Sequence, residues 1–81
     1  MTDRKIIYLE WEDITQSDPN WRDFDEALDW AANEVSIVKQ VGFLLDRDEN
    51  YITLICSYMG DDLAGTVIRI PAVLIKHYKE L

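Results

Sequence analysis

The sequence predicts a single α+β domain spanning residues 1–81, in which one strand and one amphipathic helix precede an antiparallel meander that curls into a small barrel. Three observations support this prediction. Apolar residues alternate near the start of the chain, recur at helical spacing in the next segment, and alternate again from residue 36 onward. Short turn-forming stretches separate the later strands, as in hairpins. The alternative is an open antiparallel sheet with one packed helix.

Residues 5–14 predict the first strand. Its apolar side chains alternate with a largely polar set, as expected for a half-buried strand. The apolar set is Ile7, Leu9 and Trp11, and the alternate set is Tyr8, Glu10 and Glu12. Trp11 is therefore predicted to lie in the core.

Residues 19–34 predict the helix, after a loop of turn-forming residues. Asp18 before Pro19, or Asn20, is expected to cap it. One stripe of apolar residues falls within an arc of about 80°. The stripe consists of Trp21, Phe24, Leu28, Ala31 and Val35. The stripe, including Trp21, is predicted to face the core.

Residues 37–46 and 51–59 predict a β-hairpin around the turn at 47–50. Gly42 indicates a bend or bulge where the first of these strands curls. Apolar residues occupy both faces of the hairpin. In the first strand, one face carries Val41, Phe43 and Leu45, and the other carries Val38 and Leu44. In the second strand, one face carries Ile52, Leu54, Cys56 and Tyr58. A closed barrel or a homo-oligomer would cover the second apolar face.

The end of the chain contains a turn at 60–65, a strand at 66–70 and one helical turn beginning at Pro71. Residues 75–81 fit either a short strand or a helical end. The bent strand, the helical turn and a short last strand favour an SH3-like or Sm-like barrel.

Acidic residues are concentrated in the first part of the chain. Residues 1–34 carry ten acidic and three basic residues, so the net charge of −8 divides into −7 there and −1 in residues 35–81. This charge disfavours direct contact with nucleic acid or anionic membranes, and favours a basic protein surface or solubility alone. There is no signal-like apolar run and no apolar stretch of membrane-spanning length, so a cytoplasmic location is expected.

The sequence predicts no catalytic residues, no cofactor and no metal site, and we therefore expect a protein that is not an enzyme. Cys56 is the single cysteine and His77 the single histidine, and neither has a partner at informative spacing. The acidic turn at 46–50 lacks the glycine and the distal glutamate of an EF-hand loop.

Trp30 is the most informative residue of the helix because it lies outside the apolar stripe, about 140° from its centre. Acidic residues surround it. The predicted partner-binding residues are Trp30, Asp23, Glu26, Asp29 and Glu34. An exposed tryptophan among carboxylates is typical of an interface anchor, and the alternative is that Trp30 folds over a strand edge or loop.

Several segments together resemble short acidic proteins of phages, prophages and related mobile elements. They are WEDI, the tryptophan-containing acidic helix, VGFLLDRDENYITL and IRIPAVLIKHY. Residues 37–81 also resemble the strand pattern of Sm-like barrels. The chain lacks the basic and polar loop residues of RNA-binding Sm proteins, so the resemblance does not imply RNA binding.

These observations predict a non-enzymatic binding protein, of phage or mobile-element type, whose acidic helix occludes a basic surface of a host protein. The alternative is a structural homo-oligomer, a small-barrel dimer or ring, that scaffolds or binds a small ligand. The sequence alone does not distinguish phosphate mimicry from acidity that serves solubility.

Overall fold

The computed structural model describes residues 3–81, which form one helix, seven strands and one 3₁₀ turn. The elements in chain order are β1 (Ile6–Glu12), α1 (Phe24–Asn33), β2 (Ile37–Arg47), β3 (Tyr51–Ile55), β4 (Tyr58–Met59), β5 (Leu63–Ala64), β6 (Val67–Pro71), the 3₁₀ turn Ala72–Leu74 and β7 (Ile75–Glu80). The predicted mixture of one helix with an antiparallel meander is confirmed.

Five strands form one antiparallel sheet in the order β6-β3-β2-β1-β7, and β4 and β5 form a separate two-stranded sheet. The edge strands β6 and β7 are not paired with each other within residues 3–81. The sheet is therefore open along one seam, and the prediction of a closed barrel is not met.

The open sheet is nevertheless strongly curled. Strands lie about 4.8 Å apart, so the edges of a flat five-stranded sheet would be about 19 Å apart. The 3₁₀ turn joins these edges with only three residues, which span about 13 Å at most between Pro71 and Ile75. Arg47 at the end of β2 also reaches Tyr78 of β7, two strands away, with its guanidinium carbon 4.3 Å from the ring centroid.

The inner face of the curled sheet contains the main core. Its buried residues come from β1, β3 and the edge strand β6, and they are Ile7, Leu9, Ile52, Leu54 and Ile70. Partly buried residues pack against them, namely Trp11, Leu44, Ile68, Ile75 and Tyr78. Trp11 thus lies at the margin of the core rather than inside it.

Cross-strand register decides which face of β2 is inward. Ile7 pairs with Gly42 and Trp11 with Val38, and paired residues of antiparallel strands point to the same side. The inward set therefore includes Val38 and Gly42, whereas Val41 and Leu45 are exposed. The register shift that bends β2 lies between Leu44 and Asp46, not at Gly42.

The strand predicted at 51–59 ends at Ile55, because the chain bends there into a second, short hairpin. The Cys56 amide still donates to the Thr66 carbonyl oxygen at 2.9 Å, but its side chain is exposed instead of continuing the row of Leu54. Gly60, with φ of 64°, makes the turn of the second hairpin.

The C-terminal segment is a strand, which resolves the two alternatives for residues 75–81. β7 pairs with β1 from Ile7 opposite Glu80 to Trp11 opposite Ile75, with a register shift after Glu10. The helical turn predicted after Pro71 is the 3₁₀ turn, and the Ala72 amide donates to the Asn50 carbonyl oxygen at 2.8 Å.

The helix begins at Phe24, five positions later than predicted, because Asp18 closes a local turn by accepting from the Asn20 amide. Asp23 is the N-cap and accepts a hydrogen bond from the Glu26 amide at 2.8 Å. Within the described chain, α1 packs along no strand and has no buried residue. The open antiparallel sheet agrees with the alternative prediction, but the helix makes no extensive contact with any strand.

A physical reason for this difference lies in the sheet. Because the sheet curls, its own strands enclose its inner face, and no open apolar face remains there for a helix to cover. The helix segment projects, and the chain extends 57 Å along its longest axis and only 22 Å and 19 Å across.

Candidate functional site

The projecting helix exposes its apolar stripe to solvent. Trp21 is fully exposed, Phe24 is 87% exposed and Leu28 is 69% exposed. Trp21 and Val35 lie just outside the two ends of α1, while Phe24, Leu28 and Ala31 lie within it. This orientation is opposite to the predicted one, and it turns a set of expected core residues into a surface.

Carboxylates flank the stripe on both sides. At 100° per residue, Asp25 lies about 80° from the stripe centre on one side and Glu34 about 100° on the other. Residues 23–34 contain five acidic residues and no basic residue. Arg22, just before the helix, is held by Asp18 in an ion pair of 3.0 Å. The helix therefore presents an apolar stripe with an acidic border.

The predicted partner-binding carboxylates all lie at exposed positions on or beside this helix. Asp23 is the N-cap, Asp29 accepts from the Asn33 side-chain amide at 3.2 Å, and the Glu34 amide donates to the Trp30 carbonyl oxygen at 2.9 Å. Glu26 lies in the first turn, where its charge complements the positive end of the helix dipole.

Trp30 is half-buried, as is Ala27 on the same side of the helix. The side of the helix around Trp30 is therefore less exposed than the apolar stripe, which faces solvent. The acidic residues around Trp30 are exposed, and so are the large apolar side chains of Trp21, Phe24 and Leu28.

A second exposed surface, here called the outer patch, lies on the outer face of β7, β1 and β2. The register places Lys79, Tyr8 and Val41 in one row and His77, Glu10 and Lys39 in the next. Val41 is 55% exposed, and Ile6 in the adjoining row is 42% exposed. The outer patch consists of Ile6, Tyr8, Lys39, Val41 and Lys79, and Glu10 and His77 lie within it.

The two lysines of the outer patch form no ion pair within residues 3–81. Tyr8, by contrast, donates to the Glu10 carboxylate at 2.9 Å, and its ring meets the His77 ring edge to face at 6.0 Å. The hydrogen bond to the Glu10 carboxylate, followed by desolvation and the nearby negative charge, raises the pKa of Tyr8.

A groove of about 400 Å³ lies between the short hairpin and the outer side of the sheet. Ile55 and Leu45 form apolar walls, and Arg4, Asp61 and Asp62 bring charge to the rim. Among the described residues, no histidine and no thiol lines the groove. Nothing about its chemistry indicates a particular ligand.

The residues weighed for catalysis lie far apart in the fold. Cys56 is exposed beside the short hairpin, and His77 lies on β7, which pairs with β1. Over residues 3–81, no group of three or more histidine, cysteine or acidic side chains is arranged to hold a metal ion. In the same range, no helix is long and apolar enough to cross a membrane.

No protein-family model matches the chain, and neither the curated proteins nor the solved structures contain a significant match. The resemblances to short acidic phage proteins and to Sm-like barrels therefore remain predictions.

The outer patch was not predicted from the sequence. Its lysines are separated by forty positions in the chain, and only the pairing of β1 with both β2 and β7 brings them to one face. The one signal in the sequence was the alternation in β1, which places Tyr8 on the opposite face of the strand from Ile7 and Leu9.

Proposed function

We propose that this chain is a non-enzymatic protein-binding module whose acidic helix docks in an apolar groove with a basic rim on another protein chain. One observation carries the proposal: Phe24 and Leu28 are largely exposed on a helix that has acidic residues on both flanks. Helix-in-groove recognition uses apolar residues at this i, i+4 spacing, and charge at the border selects the partner.

The helix itself gives a second reason to expect a partner. A ten-residue helix without tertiary packing is only marginally stable in water, because the free-energy cost of nucleating it is not offset by the hydrogen bonds of a few turns. The Asp23 cap and the acidic first turn help, by about 1 kcal/mol for the cap. A docked partner would supply the burial that the sheet does not.

We also propose that the curled sheet is a small SH3-like barrel left open at the seam between β6 and β7. The strand order and the 3₁₀ turn that joins the two edge strands support this assignment. In this interpretation the barrel is a scaffold, and the insertion between β1 and β2 carries the binding helix.

The resemblance to phage and mobile-element proteins makes a basic host protein the first class of foreign partner to test. Two surfaces of the helix compete for the role of anchor, the stripe around Leu28 and the originally predicted face around Trp30. The exposure of Leu28 and the partial burial of Trp30 favour the stripe.

The experiment is site-specific photo-crosslinking in cells that express the chain. A photoreactive amino acid replaces Leu28 in one sample, Trp30 in a second, and Asn50 at the opposite hairpin turn in a third. We expect abundant adducts from position 28 with one identified chain that has a basic, apolar surface. Neutralising Asp25, Glu26 and Asp29 to the amides should remove them.

An adduct pattern at position 28 no stronger than that at position 50 would refute the proposed function. Adducts stronger at position 30 than at position 28 would restore Trp30 as the anchor and assign the stripe to another role.

A further inference from the structure

We infer that the partner of the acidic helix is a second copy of this protein. In the dimer, the apolar stripe on the helix of each copy lies on the outer patch of the other copy. The inference rests on the proposed function, since it names the partner for the same helix surface. Four features of the described residues lead to it.

The first feature is surface area. The accessible surface is 6371 Å², whereas a compact folded monomer of 9.5 kDa exposes about 5,000 Å². The excess is larger than the roughly 800 Å² that each partner buries in a standard interface. The excess surface is therefore large enough to supply one side of a dimer contact of ordinary size.

The second feature is shape. The radius of gyration is 16.8 Å, whereas a compact domain of 81 residues has a value of about 12 Å. The elongation comes from the helix segment that projects from the sheet. Two such chains placed side by side in opposite directions bring each projecting helix next to the sheet of the other.

The third feature is charge. The helix segment from residue 23 to residue 34 carries five acidic residues without a base, and the outer patch carries Lys39 and Lys79 without an ion-pair partner among the described residues. Glu10 is the one carboxylate inside the patch, and it lies between Lys39 and His77 in the ladder while accepting the Tyr8 hydroxyl. The outer patch is therefore complementary in charge to the acidic border of the helix.

The fourth feature is apolar content. Ile6, Tyr8 and Val41 give the outer patch an apolar centre between its lysines, which suits Phe24 and Leu28. The other symmetric arrangement, helix against helix, would bring two acidic borders together, and like charges across an interface are unfavourable. Charge therefore selects helix on sheet.

The experiment measures association by sedimentation equilibrium and native mass spectrometry with two complementary variants. The helix variant is Phe24→Gln with Leu28→Gln, because glutamine keeps helix propensity and removes the apolar surface. The patch variant is Lys39→Glu with Val41→Thr, which keeps a β-branched residue in the strand. All four positions are exposed, so the fold should survive, and far-ultraviolet circular dichroism checks it.

We expect the wild type to be a dimer at tens of micromolar, and each variant alone to dissociate at least about 100-fold more readily. The decisive sample is an equal mixture of the two variants. In the heterodimer, the unchanged helix of the patch variant can still dock on the unchanged outer patch of the helix variant, so one of the two contacts is intact. The heterodimer should therefore form with an affinity at least about tenfold higher than that of either variant for itself. The matched control, Met59→Gln with Val73→Gln, removes two equally exposed apolar side chains elsewhere and should dimerise like the wild type.

A monomeric wild type, a variant that dimerises normally, or a mixture without heterodimer would each overturn the inference. None of these results refutes the proposed function, which fails when position 28 crosslinks no more strongly than position 50. A foreign basic protein crosslinked at position 28 of a monomeric chain would retain the proposed function and replace the second copy as the partner.

Discussion

At the scale of single residues, Gly42 lies at a close approach between β2 and β3. A Cβ atom built on Gly42 would lie 3.0 Å from the Leu54 Cβ and 3.2 Å from the Ile55 carbonyl oxygen. The sequence correctly marked this glycine as unusual within a strand, but it indicated a bulge. The reason for glycine is instead the space taken by Leu54 across the ladder.

We predict that Gly42→Ala lowers the free energy of unfolding by about 1–3 kcal/mol. The added methyl group forces Leu54 or the β3 backbone to shift, and this cost exceeds the entropic gain of about 0.5–1 kcal/mol from stiffening the unfolded chain. Urea denaturation measures the change. A midpoint equal to or above that of the wild type would show that the core adapts to the methyl group without strain.

The hydrogen bond from Tyr8 to Glu10 gives a prediction about pH. Because this bond raises the pKa of Tyr8 in the folded chain, its stabilising contribution is fully present below the pKa of an unfolded tyrosine and is lost as pH rises through the folded pKa. Glu10→Gln should therefore lower the pKa of Tyr8, as followed by NMR titration of its ring resonances. Glu12→Gln, whose carboxylate pairs with Lys76 at 3.2 Å instead, is the control and should leave it in place.

At the scale of elements, the helix shows what periodicity can and cannot predict. The spacing of Phe24, Leu28 and Ala31 correctly identified a helix and its apolar side. Periodicity did not identify what that side meets, because an amphipathic pattern is the same for a helix that packs within its own chain and for one that docks on another. The start of the helix was missed because the expected caps, Asp18 and Asn20, lie within the same short stretch as Asp23, which is the N-cap.

The strands were more predictable because their signals are local. Alternation located β1, β2 and β3, and the acidic turn located the first hairpin, whereas residues 75–81 fitted either a strand or a helical end. The inward face of β2 was not predictable, since both of its faces are apolar and only the pairing with Ile7 selects Gly42 and Val38. Cys56 was placed in a continuous strand because nothing in the local sequence indicates the bend after Ile55.

We predict that Asp23→Ala reduces the helicity of α1. The global free energy of unfolding of dilute, monomeric protein should change by less than about 0.5 kcal/mol. The cap contributes about 1 kcal/mol locally, but the helix packs along no strand and its loss is not transmitted to the sheet. Backbone chemical shifts report the helix and urea denaturation reports the sheet.

Asp48→Ala is the matched control. Asp48 accepts the Asn50 and Tyr51 amides at 2.8 Å in the turn between β2 and β3, so its removal should lower the global stability by about 1 kcal/mol. Equal effects of the two substitutions on the sheet would show that the helix is packed in solution.

At the scale of the whole molecule, the candidate binding surfaces differ in how far the sequence could predict them. The acidic helix segment is contiguous, so its charge was visible directly. The outer patch joins residues from three strands, and its lysines become neighbours only through the order β2-β1-β7. The elongated shape and the orientation of the helix could not be predicted, because both depend on the sheet enclosing its own core.

We predict that the thermal midpoint of the wild type rises with protein concentration, since association stabilises the folded chain by mass action. A hundredfold dilution should lower the midpoint by several degrees, whereas Phe24→Gln with Leu28→Gln should show a lower midpoint that is independent of concentration. Differential scanning fluorimetry across a dilution series measures both. A wild-type midpoint that does not change with concentration would contradict the prediction.

The position of β1 has a kinetic consequence. β1 is an interior strand of the sheet and pairs with β7 from the opposite end of the sequence, with Ile7 opposite Glu80. Chains dominated by such distant pairings fold in milliseconds to seconds, because loop-closure entropy is lost before the contacts form. During that interval the unpaired edges of β1 and β2 are open to other chains. The carboxylates of the segment that connects these two strands keep chains apart by repulsion, so the acidity that favours docking in the native state also delays aggregation before it is reached.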